Sequence, residues 1–292
     1  MILIMKNCAK KAFTLVELSV VILLIGMVLS VVAASGSIIE KYRLYSARAT
    51  TQSSGIMVMK NLAVWFDAAS DTSFSESETR DGGTISTWYD INPTAELKNN
   101  ATQSTTSYKP IRYKNCINNL PCVRFDGSDD LLTFDASEIL GSDYTVIVVE
   151  QKRDNSDRNY YIGGTTGTAD ENLNLGYHLG YAVWDQYDGG GYTYTITAFT
   201  VPQPVINIFV LDAYSSRKYY RNSELLTALG GTDVNPVTVF TGSALGGARP
   251  GTNSWFYYGD IGEVIIFNRI LKEEERISIE KYLSNKWKIK LS

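Results

Sequence analysis

The chain has 292 residues, 44% hydrophobic and 20% charged, a balance that excludes a wholly disordered polymer. Lys and Arg number 27 against 31 Asp and Glu, a net charge of −4 without a basic cluster, so nucleic acid is not a partner. Two thiols, Cys116 and Cys122, and the single His178 cannot furnish a typical closed zinc site.

The first predicted element is apolar. From Phe13 to Ala34, Glu17 is the only ionised residue. A helical span of about 20 apolar residues is long enough to cross a bilayer. A secretory signal peptide has a shorter apolar core and a small-residue cleavage site, which Ala33-Ala34-Ser35-Gly36 could imitate. A plain membrane anchor is the other rival. Glu17 separates these readings, because a carboxylate in an apolar segment is costly and is paired or functional where it occurs. A cut between Ala12 and Phe13 would create an α-ammonium that a neighbouring copy could offer to Glu17. Such a pair would set the axial register between subunits.

Lys10-Lys11-Ala12-Phe13-Thr14-Leu15-Val16-Glu17-Leu18 and the apolar run behind it resemble the N-terminus of type IV pilins and pseudopilins. The resemblance implies cleavage by a prepilin peptidase before Phe13, methylation of the new N-terminus, and assembly guided by Glu17. That family prefers Gly before the cut, and Ala12 is a small substitute. Lys6, Lys10 and Lys11 would hold the leader on the cytoplasmic side, and Met5 is an alternative start. Cleavage lowers the basic count from 27 to 24 against 31 acids, a mature charge of −7. Cys8 leaves with the leader, and Cys116 and Cys122 are expected to form a disulfide in an oxidising compartment.

After Ser37 the chain turns polar but stays helix-compatible. Ile38, Ile39, Tyr42, Tyr45 and Ala49 form an amphipathic stripe. One helix is expected over residues 13–59, on the order of 70 Å long. After Leu62, short apolar or alternating runs separated by turn residues predict strands. Residues 123–134 read as a hairpin around Asp126-Gly127-Ser128-Asp129-Asp130. Residues 144–149, 205–212 and 218–221 read as strands, Asn222-Ser223 as a tight turn, and 256–267 as a central strand. Residues 272–287 predict a closing helix with Glu273, Glu274 and Glu275 in its first turn.

Four pieces of this region resemble concanavalin A-like, laminin G-like jelly rolls. They are Leu62-Ala63-Val64-Trp65-Phe66-Asp67-Ala68; Thr87-Trp88-Tyr89-Asp90 with Asn99-Asn100-Ala101; Pro121 to Gly127 with Asp130-Leu131-Leu132; and Gly259 to Arg269 with Glu274-Glu275-Arg276 and Tyr282-Leu283. The family often begins its closing helix with Ser or Asp, where this chain has Lys272. The expected fold is α+β and mainly β: a long N-terminal transmembrane or spine helix, an antiparallel β-sandwich of jelly-roll type, and a short C-terminal helix. The expected domains are a cleaved leader (1–12), a pilin-like helix (13–60, membrane-spanning in 13–34) and a jelly-roll head (61–292).

Signals of catalysis are thin. There is no Gly-x-Ser-x-Gly elbow, no phosphate-binding Gly-x-x-x-x-Gly-Lys and no His-Glu-x-x-His. His178 lies in a strand-edge pattern, and Glu150 and Glu263 would need to converge to act as a glycosidase pair. The expectation is that the chain is not an enzyme and has no cofactor, calcium excepted. Asp126, Asp129 and Asp130 are candidate calcium ligands or an Asx-rich turn. Trp88, Trp184, Tyr187 and Trp255 either fill the core or stack on sugar rings, and the loops at 154–174 and 187–194 are the candidate contact edges.

The expected function is a structural subunit, minor or tip, of a type IV pilus or type II secretion pseudopilus. The alternative is a surface adhesin whose lectin-like head binds glycan or protein. Expected partners are prepilin peptidase, the bacterial inner membrane, other pilin or pseudopilin subunits, and a glycan or surface protein. The head is expected on the periplasmic or extracellular side.

Overall fold

A computed structural model describes residues 15–157, 159–164, 173–185, 192–194, 201–231, 234–237, 243–247 and 255–292. The chain divides into two compact units after Arg43. The first helix, α1, is Leu15–Gln52, with Glu17 in its first turn, where the helix dipole favours an acid. Every side chain over residues 15–30 is exposed.

Among the described residues, no helix is long and apolar enough to cross a membrane. One expectation for this region, the end of the helix, is corrected. The helix ends at Gln52 rather than near residue 59. Ser53, Ser54 and Gly55 break it, because Ser competes for backbone hydrogen bonds and Gly gains little from helix. A single 3-10 turn, Gly55–Val58, follows.

The strands in chain order are β1 (Leu62–Asp67), β2 (Gly83–Thr84), β3 (Thr87–Trp88), β4 (Ala101–Thr102), β5 (Ile111–Ile117) and β6 (Leu120–Asp126). Then come β7 (Leu132–Phe134), β8 (Tyr144–Lys152), β9 (Asn159–Gly164), β10 (Asn174–His178), β11 (Tyr181–Asp185) and β12 (Tyr192–Tyr194). The last are β13 (Gln203–Asp212), β14 (Ser216–Arg221), β15 (Glu224–Leu226), β16 (Ala228–Gly230), β17 (Ser243–Leu245) and β18 (Tyr258–Phe267). The first sheet runs β15-β14-β13-β8-β18-β6-β5-β2, and β1 also pairs with β18. The second runs β16-β12-β11-β10-β9-β17-β7-β4-β3. The described pairings are antiparallel, as the many short alternating runs require.

The two sheets enclose one core, in which Phe66, Val148 and Val264 of the first meet Tyr161, Leu175 and Trp184 of the second. This is a mainly β antiparallel sandwich. The predicted central strand is β18, flanked on one side by β8 and on the other by β6 and β1. Asn222 and Ser223 both take positive φ, 50° and 75°, as the tight turn between β14 and β15 needs. The expected 123–134 hairpin is corrected: β6 belongs to the first sheet and β7 to the second. The Asp-rich turn passes the chain from one layer to the other. Gly127 sits there at φ 76°, where a Cβ would lie 2.8 Å from Tyr258 Cβ.

The outer face of the first sheet carries a second core. Here Ile147, Ile208 and Ile265 meet the second helix, α2 (Glu273–Trp287), through Ile279, Leu283 and Trp287, and Ala47 from the end of α1 joins them. Lys272 precedes α2 and its side chain accepts nothing, but its N–H donates to Glu275 Oε2 at 2.9 Å. Arg269 holds the same carboxylate with two hydrogen bonds, at 2.7 and 2.8 Å. The missing Ser or Asp cap is thus replaced by Glu275 from within the first turn. Cys116 and Cys122 form a disulfide joining β5 and β6 across their turn.

Candidate functional site

Two buried polar centres flank the first sheet. Glu150 on β8 is fully buried between the sheets. It accepts hydrogen bonds from the Tyr177 and Tyr257 hydroxyls, and from Asn207 Nδ2 at 2.9 Å. Arg221 extends the network by donating to Tyr177 Oη at 2.9 Å. Burial pushes the Tyr177 and Tyr257 hydroxyls well above the ordinary tyrosine range, so both remain donors.

The other centre lies under α2. Glu263 on β18 accepts from Trp65 Nε1 at 2.8 Å, Tyr282 Oη at 2.7 Å, Trp287 Nε1 at 2.7 Å and Lys286 Nζ at 2.7 Å. The same ammonium lies 2.6 Å from Asp67 Oδ2, and both side chains are fully buried. Thr51, on the last turn of α1, donates to Asp67 Oδ2 at 3.0 Å. Burial raises the Glu263 carboxyl and the Lys286 charge opposes that rise. Sequence reading missed Asp67, Lys286 and Thr51 as a group. Tyr282 and Lys286, four residues apart, share one face of α2, but Asp67 lies on β1 far earlier in the chain, and no local signal joins it to them.

Glu150 and Glu263 therefore do not converge. Trp88 and Trp184 are corrected as sugar-stacking candidates, since both are fully buried. Trp88 packs on Phe66 and Phe74, and Trp184 on Tyr144 and Phe209. The large indole surface is worth more inside the core than at the rim.

Trp255 is half-buried. Its ring stacks on Tyr160 at 5.0 Å and on His178 at 5.4 Å. Beside it runs a groove of about 530 Å³ lined by Lys152, Asn155, Ser156, Asp157, Tyr177 and His178 among others. His178 Nδ1 and Asp157 Oδ1 are 3.1 Å apart, and Asp157 also accepts the Leu179 N–H. Lys152 lies 5.2 Å from the Tyr177 ring centre, and burial lowers its ammonium below the usual lysine range. Leu179 and Gly180 turn the chain with φ of 52° and 81°, which places His178 at the lip. Tyr187, Ala12 and Phe13 lie outside the described residues.

Asp126, Asp129 and Asp130 carry carboxylate oxygens within 4.8 Å of one another. Asp126 Oδ1 accepts the Ser128 N–H at 2.8 Å, and Asp130 Oδ2 accepts the Asp126 N–H at 3.0 Å. The oxygens already serve the turn, as in an Asx-rich crossing. This acidic cluster is what the structure offers toward calcium, and no cofactor is shown.

Residues 7–33 match the prokaryotic N-terminal methylation motif. The motif supports a processed subunit of type IV pilin or pseudopilin kind and a membrane-anchored, pilus-associated protein. It implies a prepilin peptidase and other pilin subunits as partners. No curated protein matches the chain.

Solved structures share the sandwich. The binding domain of paraclostridial mosquitocidal protein 1 is similar with TM-score 0.52 and 11% identity, over 77% of this chain and 52% of that one. Domain 4 of AbnA, a GH43 extracellular arabinanase from Geobacillus stearothermophilus in complex with arabinotriose, is similar with TM-score 0.50 and 13% identity, over 75% and 98%. A mutant of Trypanosoma rangeli sialidase displaying trans-sialidase activity is similar with TM-score 0.50 and 12% identity, over 78% and 33%. This chain thus spans about a third of the sialidase chains it matches. The expectation of a non-enzyme is corrected by these neighbours: the sandwich occurs in chains of glycoside-cleaving enzymes. At such identities the likeness shows the fold alone.

Proposed function

We propose that the chain is a minor or tip subunit of a type IV pilus or type II secretion pseudopilus, with a concanavalin A-like, laminin G-like head. The observation that carries this reading is the methylation motif at 7–33, which runs into a helix whose side chains over 15–30 are all exposed. Contiguous apolar surface of that size calls for a covering, and neighbouring helices or lipid supply it. In this reading residues 1–12 are a leader, Phe13 becomes the methylated N-terminus in the inner membrane, and Glu17 meets the ammonium of a neighbour. A head of this size would crowd every position of a repeating shaft, which favours an end position. The test replaces Glu17 with Lys in the full chain and measures its abundance in sheared filaments. Loss of incorporation with a folded head is expected. Normal incorporation, or an N-terminus other than Phe13 by mass spectrometry, overturns the reading.

A second reading makes the head a glycan-binding adhesin. The groove beside Trp255 favours it, since it joins an aromatic ring to Lys152, Asp157 and His178. A glycan array probed with the wild-type chain and with Trp255→Ala decides. Binding lost in the variant supports this reading, and no binding by the wild type removes it.

A further inference from the structure

The Lys286, Asp67 and Glu263 cluster is larger than a salt bridge requires. One ammonium meets two carboxylates, and the side chains of Lys286, Asp67 and Glu263 are all fully buried. Trp65, Tyr282 and Trp287 close the surroundings. Burying such charges is expensive, and geometry has to compensate for lost hydration. With water excluded, the ammonium protons are shared among the two carboxylates and the Tyr282 hydroxyl that touch it.

The contacts around Asp67 are directional. Its Oδ1 accepts the Ala69 N–H at 2.9 Å, which polarises that oxygen as a carbonyl. Its Oδ2 faces Lys286 Nζ at 2.6 Å and accepts from Thr51 Oγ1 at 3.0 Å. Glu263 Oε2 touches the same Nζ at 2.7 Å. A nucleophile, an acyl carbon with one oxygen held by a backbone donor, and a base in contact with the nucleophile are therefore gathered in one pocket.

We propose that Lys286 and Asp67 condense to an intramolecular amide, with Glu263 carrying the protons. Glu263 takes a proton from the ammonium and passes it to Asp67 Oδ2, and the freed nitrogen lone pair attacks Cγ of the resulting carboxylic acid. The negative charge gathers on Oδ1 against the Ala69 N–H. The C–Oδ2 bond then breaks, and Oδ2 leaves as water with two of the three ammonium protons delivered through Glu263. The nitrogen keeps the third as the amide N–H. No oxidant, reductant or outside reagent enters, and water is the sole by-product. Burial holds the Glu263 carboxyl high, which suits a group that must take a proton and return it. The bond ties β1, the first strand of the head, to α2, its last helix. It rests on neither the filament nor the adhesin reading.

The test is a peptide map of the folded full-length chain after denaturation and trypsin. A free Lys286 is cut. A condensed Lys286 is protected, and residues 61–80 and 282–288 travel as one branched peptide lighter than their sum by one water. That peptide is expected from the wild type in most molecules. It is expected to vanish in Asp67→Ala, and to fall at least several-fold in Glu263→Gln with the fold retained by circular dichroism. Linear wild-type peptides cut at Lys286 overturn the proposal, whatever the variants do. A branched peptide persisting in Asp67→Ala overturns the assignment of the acyl partner. Full bond formation in a folded Glu263→Gln overturns the proton-carrier role.

Discussion

Glu150 and Glu263 stand one register step apart on paired strands and face opposite cores. Glu150 lies opposite Ile261, while Glu263 lies opposite Val149, with a register shift between the two pairs. Strict alternation from Ile261 would place Glu263 on the same face as Glu150. The shift at Gly262 turns Glu263 outward instead, beneath α2. One irregular residue thus decides between a pair of carboxylates in one cavity and two separate structural centres.

Glu150→Ala is expected to destabilise the head by about 3 kcal/mol. Removing the carboxylate leaves the Tyr177 and Tyr257 hydroxyls and the Asn207 amide without their shared acceptor. Glu150→Gln keeps an acceptor oxygen and is expected to lose less than half as much. Urea denaturation followed by tyrosine fluorescence checks both. Equal losses would mean that the carboxylate charge, rather than its oxygens, is what the hydroxyls require.

Gly262→Ala is expected to cost about 1–3 kcal/mol, as overpacking does in a filled core. The added Cβ would lie 2.7 Å from the Trp287 ring, and the ring is held by its hydrogen bond to Glu263. The neighbouring Gly262 carbonyl accepts the Ala68 N–H at 2.9 Å, so the backbone cannot easily retreat. Trp287 fluorescence and the melting temperature should shift together. A variant melting with the wild type would show that α2 yields freely.

Much of this architecture was legible in the residues. The strongly apolar run 144–149 pointed to a strand, the loose alternation of 256–267 to a central strand, and three acids in one turn to a helix start. The Asp-rich turn misled, because a hairpin and a crossing between sheets use the same turn chemistry. Nothing local in Asp126 to Asp130 says whether Leu132 pairs with β6 or with β17. The two buried centres were illegible for a related reason. Asp67 and Lys286 lie at opposite ends of the head in sequence, and no local period links them. Trp88 and Trp184 were ambiguous because an aromatic ring suits a core and a binding rim equally well; burial alone separates the two.

Replacing Cys116 and Cys122 with Ser is expected to lower stability by about 2 kcal/mol, the loop-entropy value for so short a ring. The bridge closes a turn that β5 and β6 already pair, with Ile117 opposite Leu120. The double variant should therefore keep its fold and lose only stability. Denaturation of the wild type with and without reductant checks the figure, and no shift under reductant would show that the thiols are unpaired in the purified protein.

Asp130 sets the expected pH dependence. Burial first, and the Asp126 charge next, push its carboxyl up to about 7 from 3.8, while the hydrogen bond from the Asp126 N–H opposes the rise. The folded state then keeps a proton that the unfolded chain has already released. Its contribution to stability is fully present below about pH 4 and is lost as pH rises toward about 7. Asp130→Asn cannot ionise, yet its side-chain carbonyl can still accept the Asp126 N–H. The variant is expected to match the wild type at about pH 4 and to exceed it by about 1–2 kcal/mol at about pH 8, with allowance for solvent around the exposed Asp126. Urea midpoints at both pH values check this. A wild-type advantage that grows with pH would mean the carboxylate form is the stabilising one, as it would be with a cation bound among Asp126, Asp129 and Asp130. Repeating the measurement with and without calcium separates that cause from an intrinsic one.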